Sequence, residues 1–90
     1  TILLAEDADG PRALVQRILE SEGYNVLTAA SPQEAIQLAR ATNGTIDLLL
    51  SDVVMPDMNG PELASKITEL RPETRVLFMT GYTDNAMLRK

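Results

Sequence analysis

Cysteine and histidine are both missing from the ninety residues. The first absence excludes disulfides, thiolate zinc sites and a thiol nucleophile, and it fits a reducing compartment. The second removes the Ser-His and Cys-His machineries and imidazole metal sites. Basic residues are scarce: 8 Lys and Arg face 13 Asp and Glu, for a net charge of −5. That balance argues against a nucleic-acid surface, which needs clustered cations. No apolar run approaches the roughly 18 residues of a membrane span, and no charged segment followed by an apolar one opens the chain as a signal peptide would. No membrane contact is therefore expected. With 44% hydrophobic and 23% charged residues, no repeat and no linker, the sequence reads as one globular unit.

What remains for chemistry is oxygen, in carboxylates, hydroxyls and backbone groups. Such a set suits a hard cation such as magnesium and nucleophilic attack by a carboxylate.

Ile2 to Ala5 is an apolar run that delivers Glu6 and Asp7 at its end, as a buried strand would. Leu14, Val15, Ile18 and Leu19 recur at helical spacing, with Asp9 expected as N-cap, Pro11 in the first turn and Gly23 as a left-handed terminus. Tyr24 to Thr28 alternates as a second strand. Ser31-Pro32-Gln33-Glu34 is a capping-box signature opening a helix that Asn43-Gly44 closes. Ile46 to Ser51 contains Leu48-Leu49-Leu50, the continuous run of a strand covered on both faces. After the turn-rich Met55-Pro56-Asp57-Met58-Asn59-Gly60, Pro61 opens a third helix bearing Leu63, Ile67 and Leu70, and Arg71-Pro72 stops it. Val76 to Thr80 is expected as a fourth strand, and Asp84 to Lys90 as the start of another helix. Repeated βαβ units with short connections imply a parallel sheet wrapped by helices, with its functional crevice beyond the carboxyl ends of the strands.

The residues at those ends are the informative ones. The first strand ends in Glu6 and Asp7, the third in Asp52 and the fourth in Thr80. In the order 2-1-3-4 the first and third strands are neighbours, and their tips lie roughly one strand spacing, about 5 Å, apart. Three carboxylates would then share one crevice although 45 residues separate Asp7 from Asp52. Like charges at that distance repel, and a divalent cation relieves the repulsion.

Glu6-Asp7, the segment Leu-Leu-Leu-Ser-Asp52-Val-Val-Met-Pro-Asp-Met-Asn-Gly, and Met-Thr80-Gly together resemble the receiver domain of two-component response regulators. The wording around Asp52 and Thr80 is most similar to receivers attached to hybrid sensor histidine kinases. The resemblance runs through residues 1–90 and implies a flavodoxin-like, doubly wound α/β fold with strand order 2-1-3-4. It also implies the roles. Asp52 is the phospho-acceptor, taking a phosphoryl group from a phosphohistidine on a partner. Asp7, the Asp52 carboxylate and the Val54 backbone carbonyl bind Mg2+ directly, and Glu6 acts through water. Thr80 contacts the phosphoryl group through its hydroxyl, and Gly81 through its backbone N–H. The partners implied are a histidine kinase or histidine phosphotransfer domain, and an output domain or downstream protein. Location is implied to be cytoplasmic, as a free protein or as the cytoplasmic part of a membrane-bound sensor kinase.

One departure stands out. Receivers carry a Lys after a fifth strand, an aromatic on that strand and a last helix, and the ninety residues hold none of these. The domain is thus expected to be C-terminally incomplete, with its fourth strand at an edge and one face of the first helix uncovered. Plainer readings stand beside the functional ones. Asp9 caps a helix, Asp57 faces solvent, Pro56 and Gly60 shape a turn, and Met55, Met58 and Met79 pack. Two alternatives to the phosphorylated switch remain. One is a pseudo-receiver that serves only protein interaction. The other is a small Mg2+-dependent phosphatase working through an aspartyl-phosphate. The latter usually places an acid two residues after the nucleophile, where this chain has Val54. A switch that catalyses only its own phosphorylation and dephosphorylation, and is not a turnover enzyme, is the expected function.

Overall fold

Each apolar run flanked by turn residues becomes a strand, and each amphipathic stretch between them a helix. The computed structural model describes residues 1–79. In chain order the elements are β1 (Ile2–Ala5), α1 (Asp9–Ser21), β2 (Val26–Ala29), α2 (Pro32–Ala41), β3 (Leu48–Asp52), α3 (Gly60–Leu70) and β4 (Arg75–Met79). The four strands form one parallel sheet in the order β2-β1-β3-β4. That is the expected doubly wound α/β arrangement. The expected contribution of Thr80 to the last strand, and the helix from Asp84 to Lys90, lie outside the described residues.

Alternation along the strands sorts side chains to two faces. On one, Leu3, Ala5 and Leu49 pack with Ala35 and Ala39 of α2 and with Leu63, Ala64 and Ile67 of α3. On the other, Ile2, Leu4 and Leu50 meet Val15 and Leu19 of α1. The two faces are covered unequally. Helix α1 has no fully buried residue, and its Leu14 and Ile18 are 56% and 52% exposed. Both belong to the apolar set that recurs at helical spacing, but among the described residues only Val15 and Leu19 pack against the sheet. On β4, Leu77 is likewise exposed.

Helix ends show where local chemistry agrees with the sequence pattern and where it does not. Gly23 adopts φ +94° just past α1, as a left-handed terminus requires, and its N–H donates to the Glu20 carbonyl at 3.0 Å. Asp9 is not the N-cap. Ala8 holds that position with no side-chain cap bond, and Asp9 is the first helical residue, its carboxylate drawn to Arg12 at 2.6 Å. At α2 the Ser31 hydroxyl accepts the Glu34 N–H, while the Glu34 carboxylate reaches one residue further back, to the Ala30 N–H. The full reciprocal capping box occurs at α3. There the Asn59 side chain accepts the Glu62 N–H at 2.8 Å, and Glu62 accepts the Asn59 N–H at 3.1 Å.

Arg71 joins the base of the fold. Its guanidinium donates to the carbonyls of Ala39 (2.7 Å), Gly44 (2.8 Å) and Thr42, and so fastens the end of α3 to the end of α2. Nearby, the buried Thr74 hydroxyl donates to the Ile46 carbonyl at 2.7 Å, ahead of β3. The charged site lies at the opposite, carboxyl end of the strands.

Candidate functional site

Parallel pairing of β1 with β3 sets Ala5 beside Ser51. The next residues of both strands therefore emerge together at the rim. Glu6, Asp7 and Asp52 each offer a carboxylate oxygen, and the three oxygens lie within 4.8 Å of one another. Sequence reasoning expected this convergence. Glu6 is buried, Asp52 half-buried and Asp7 exposed, so the cluster opens outward through Asp7.

Backbone contacts hold both sides of the rim. The Glu6 N–H donates to the Ala29 carbonyl at 3.1 Å, which ties it to β2. One Glu6 carboxylate oxygen accepts the Ala8 N–H at 3.0 Å, where α1 begins. On the other side, the Ser51 hydroxyl donates to the Asp52 carbonyl at 2.9 Å. The Val53 N–H donates to the Met79 carbonyl, and the Val53 carbonyl accepts the Gly60 N–H. Asp52 is thus gripped by β4 on one flank and by the start of α3 on the other.

Burial pushes the Glu6 carboxyl above its ordinary value of 4.5. The Ala8 hydrogen bond opposes that rise, while the nearby Asp52 and Asp7 carboxyls reinforce it. Among the described residues, no ion pair reaches any of the three carboxylates. The site therefore has hard oxygen donors, excess negative charge and an exposed mouth, which fits a divalent cation held partly by water.

Val54 lies in the exposed loop two residues beyond Asp52. Among the described residues its carbonyl accepts no backbone hydrogen bond. Thr80 and Gly81 lie outside the described residues, which end at Met79, the register partner of Asp52. Met55 is buried, and Met58 and Met79 pack against the cores, as expected of packing residues. Asp57 is exposed, with φ +73°, a left-handed conformation that aspartate tolerates better than most residues.

Two features escaped the sequence reading. Arg12 donates to the Glu6 carbonyl at 3.0 Å and reaches the Asp7 carbonyl at 3.5 Å. Its position five residues after Asp7 is the only signal for this in the sequence, and a weak one, because the acceptors are main-chain atoms. Gly60, expected to shape a turn, is the first residue of α3 and lies against the Asp52 backbone.

Comparison with known proteins agrees with this geometry. The family model described as "Response regulator receiver domain" matches residues 2–90. The sensor kinase CckA of Brucella abortus (strain 2308) is 40% identical over 89 residues, covering 99% of this chain but only 9% of the kinase. The response regulator receiver protein CpdR of the same organism is 39% identical over 89 residues, covering 96% of this chain and 70% of CpdR. Among solved structures, the response regulator TrrA of Thermotoga maritima, determined in complex with Mg(2+)-BeF, superimposes with a TM-score of 0.80 at 29% identity. That match covers 96% of this chain and 73% of TrrA.

Proposed function

The chain belongs to the response regulator receiver family of two-component signalling, and from that membership we propose that it is a phosphorylated switch with Asp52 as acceptor. The convergence of Asp52 with Glu6 and Asp7 at one rim carries the proposal.

In this reading a carboxylate oxygen of Asp52 attacks the phosphorus of a partner's phosphohistidine. A P–O bond forms, the P–N bond breaks, and the freed imidazole takes up a proton. Asp52 is left as an acyl phosphate, which water later hydrolyses. Asp7, Asp52 and the Val54 carbonyl would hold Mg2+ directly, and Glu6 through water. When bound, the ion neutralises charge on the phosphoryl oxygens, which is most of what phosphoryl transfer asks of a protein. The protein's own part is to hold Asp52 still through the Val53 and Gly60 backbone bonds and to keep its carboxylate half-open to a donor. Thr80 and Gly81 would receive the phosphoryl oxygens and shift the surrounding surface between two states.

The TrrA structure, in complex with Mg(2+)-BeF, supports the choice of ion. The sensor kinase relative supports a kinase or phosphotransfer domain as donor. Among the described residues no helix is long and apolar enough to cross a membrane. The protein acts as an acceptor and not as a turnover enzyme. Val54, where aspartyl-phosphate phosphatases usually place an acid, has no proton to give a leaving group.

Incubation with a small acyl-phosphate donor and Mg2+ should add one phosphate, read by intact mass. Asp52→Ala should remove the adduct. A phosphorylated Asp52→Ala protein would overturn the assignment.

A further inference from the structure

We infer that Arg12 is a positioning residue for the metal site, setting the tilt of the Glu6–Asp7 turn through its backbone carbonyls. The inference rests on the Mg2+ reading above.

One guanidinium nitrogen, Nη1, donates to the Glu6 carbonyl at 3.0 Å and lies 3.5 Å from the Asp7 carbonyl. The other, Nη2, donates to the Asp9 carboxylate at 2.6 Å. Asp9 thus aims the planar fork at the turn. The Arg12 side chain is only 20% exposed although it sits on the first turn of a helix with no fully buried residue. Among the described residues the turn has few other restraints. The Ala29 carbonyl takes the Glu6 N–H, and the Glu6 carboxylate takes the Ala8 N–H. Rotation of the Glu6–Asp7 peptide would swing both acids, and among the described residues Arg12 resists it through the Glu6 carbonyl.

The cation bonds main-chain oxygens and leaves the three acidic side chains uncompensated. Its charge and its geometry therefore act on metal affinity with opposite signs. As a nearby positive charge alone, Arg12 repels a divalent ion, and neutralising it would tighten binding. As a brace, it pre-organises the ligands, and its loss would weaken binding. Groups that orient metal ligands typically contribute about tenfold to a hundredfold in affinity.

The test is calorimetric titration of Mg2+ into the full chain as wild type, Arg12→Gln, Arg12→Lys and Asp9→Asn, with amide exchange at Ala8 followed in metal-free protein. Arg12→Gln should bind Mg2+ about tenfold more weakly and exchange the Ala8 amide faster. Arg12→Lys should be weakened nearly as much, because a single ammonium cannot span the two carbonyls and Asp9. Asp9→Asn should show a smaller loss. Equal or tighter binding by Arg12→Gln, or full rescue by Arg12→Lys, would overturn the inference. Should Arg12→Gln fail to fold, unchanged affinity in both Arg12→Lys and Asp9→Asn would do so instead. Wild-type protein that binds no Mg2+ would remove the metal reading itself, a distinct outcome.

Discussion

Gly60 abuts the backbone of Asp52. A β-carbon at position 60 would overlap the Asp52 carbonyl oxygen, and would lie 3.1 Å from the Val53 α-carbon and 3.2 Å from the Phe78 ring. The glycine is there for nearness, since its φ is not in the left-handed region. It lets α3 begin directly behind the proposed acceptor.

Gly60→Ala should therefore destabilise the fold by about 1–3 kcal/mol through overpacking, despite the better helix propensity of alanine. Because the strain falls on the Asp52 main chain, phosphorylation by a small donor should also slow. Urea unfolding and a labelling time course measure the two effects. An unchanged midpoint would show that the backbones can separate at no cost.

Glu6 links stability to pH. Its native pKa is raised above the ordinary 4.5, so the folded state holds the proton more tightly than the unfolded chain does. Its contribution is fully favourable below about 4.5 and is lost as pH rises through the native value. In metal-free protein, Glu6→Gln should be more stable than wild type at neutral pH and should flatten that part of the pH profile. Thermal melts in chelator across this window decide it, and a steeper profile in the variant would contradict the assigned cause.

Removing one charge from the rim should separate stability from metal binding. In chelator, Asp52→Asn should melt higher than wild type, by on the order of 1 kcal/mol, because crowded like charges are relieved. Mg2+ at a hundred times its Kd should stabilise wild type by about 2.7 kcal/mol by mass action, and Asp52→Asn much less. Differential scanning calorimetry with and without the ion gives both quantities.

Arg71 serves the other end of the molecule. Arg71→Ala leaves three carbonyls without their donor and should cost about 2–4 kcal/mol. Mg2+ affinity of the folded fraction should not change, since the carboxylate rim is at the far ends of the strands. Chemical denaturation and metal titration together check this, and a coupled loss of affinity would be unexpected.

The sheet and the acidic rim were legible because they rest on patterns of long reach. Leu48-Leu49-Leu50 between turn residues suggests a central strand, and acids following two such runs meet when those strands are neighbours. Contacts to main-chain atoms were not legible in the same way. Arg12 and Arg71 both bind carbonyls, which every residue offers, so no partner type in the sequence announces them. Asp9 has the residue type of a cap and stands ahead of Pro11 in the first turn, but Arg12 competes for its carboxylate. Asn59 lies in the turn-rich run Met55 to Gly60. The reciprocal bond from Glu62 shows that the same residues open α3. Thr80 and Gly81 lie beyond the described residues, so their expected part stays within the proposal.

The pairing of Ala5 with Ser51 has a wider consequence. Sliding β3 by a single position would exchange its inward and outward side chains. Leu49 would pass from the α2–α3 side of the sheet to the α1 side, and Asp52 would depart from the rim in the same motion. The separation of the three acids is thus inherited from hydrocarbon packing several residues away. A methylene trimmed from Leu3 or Leu49 would be felt as a change in ionic chemistry at the mouth of the domain.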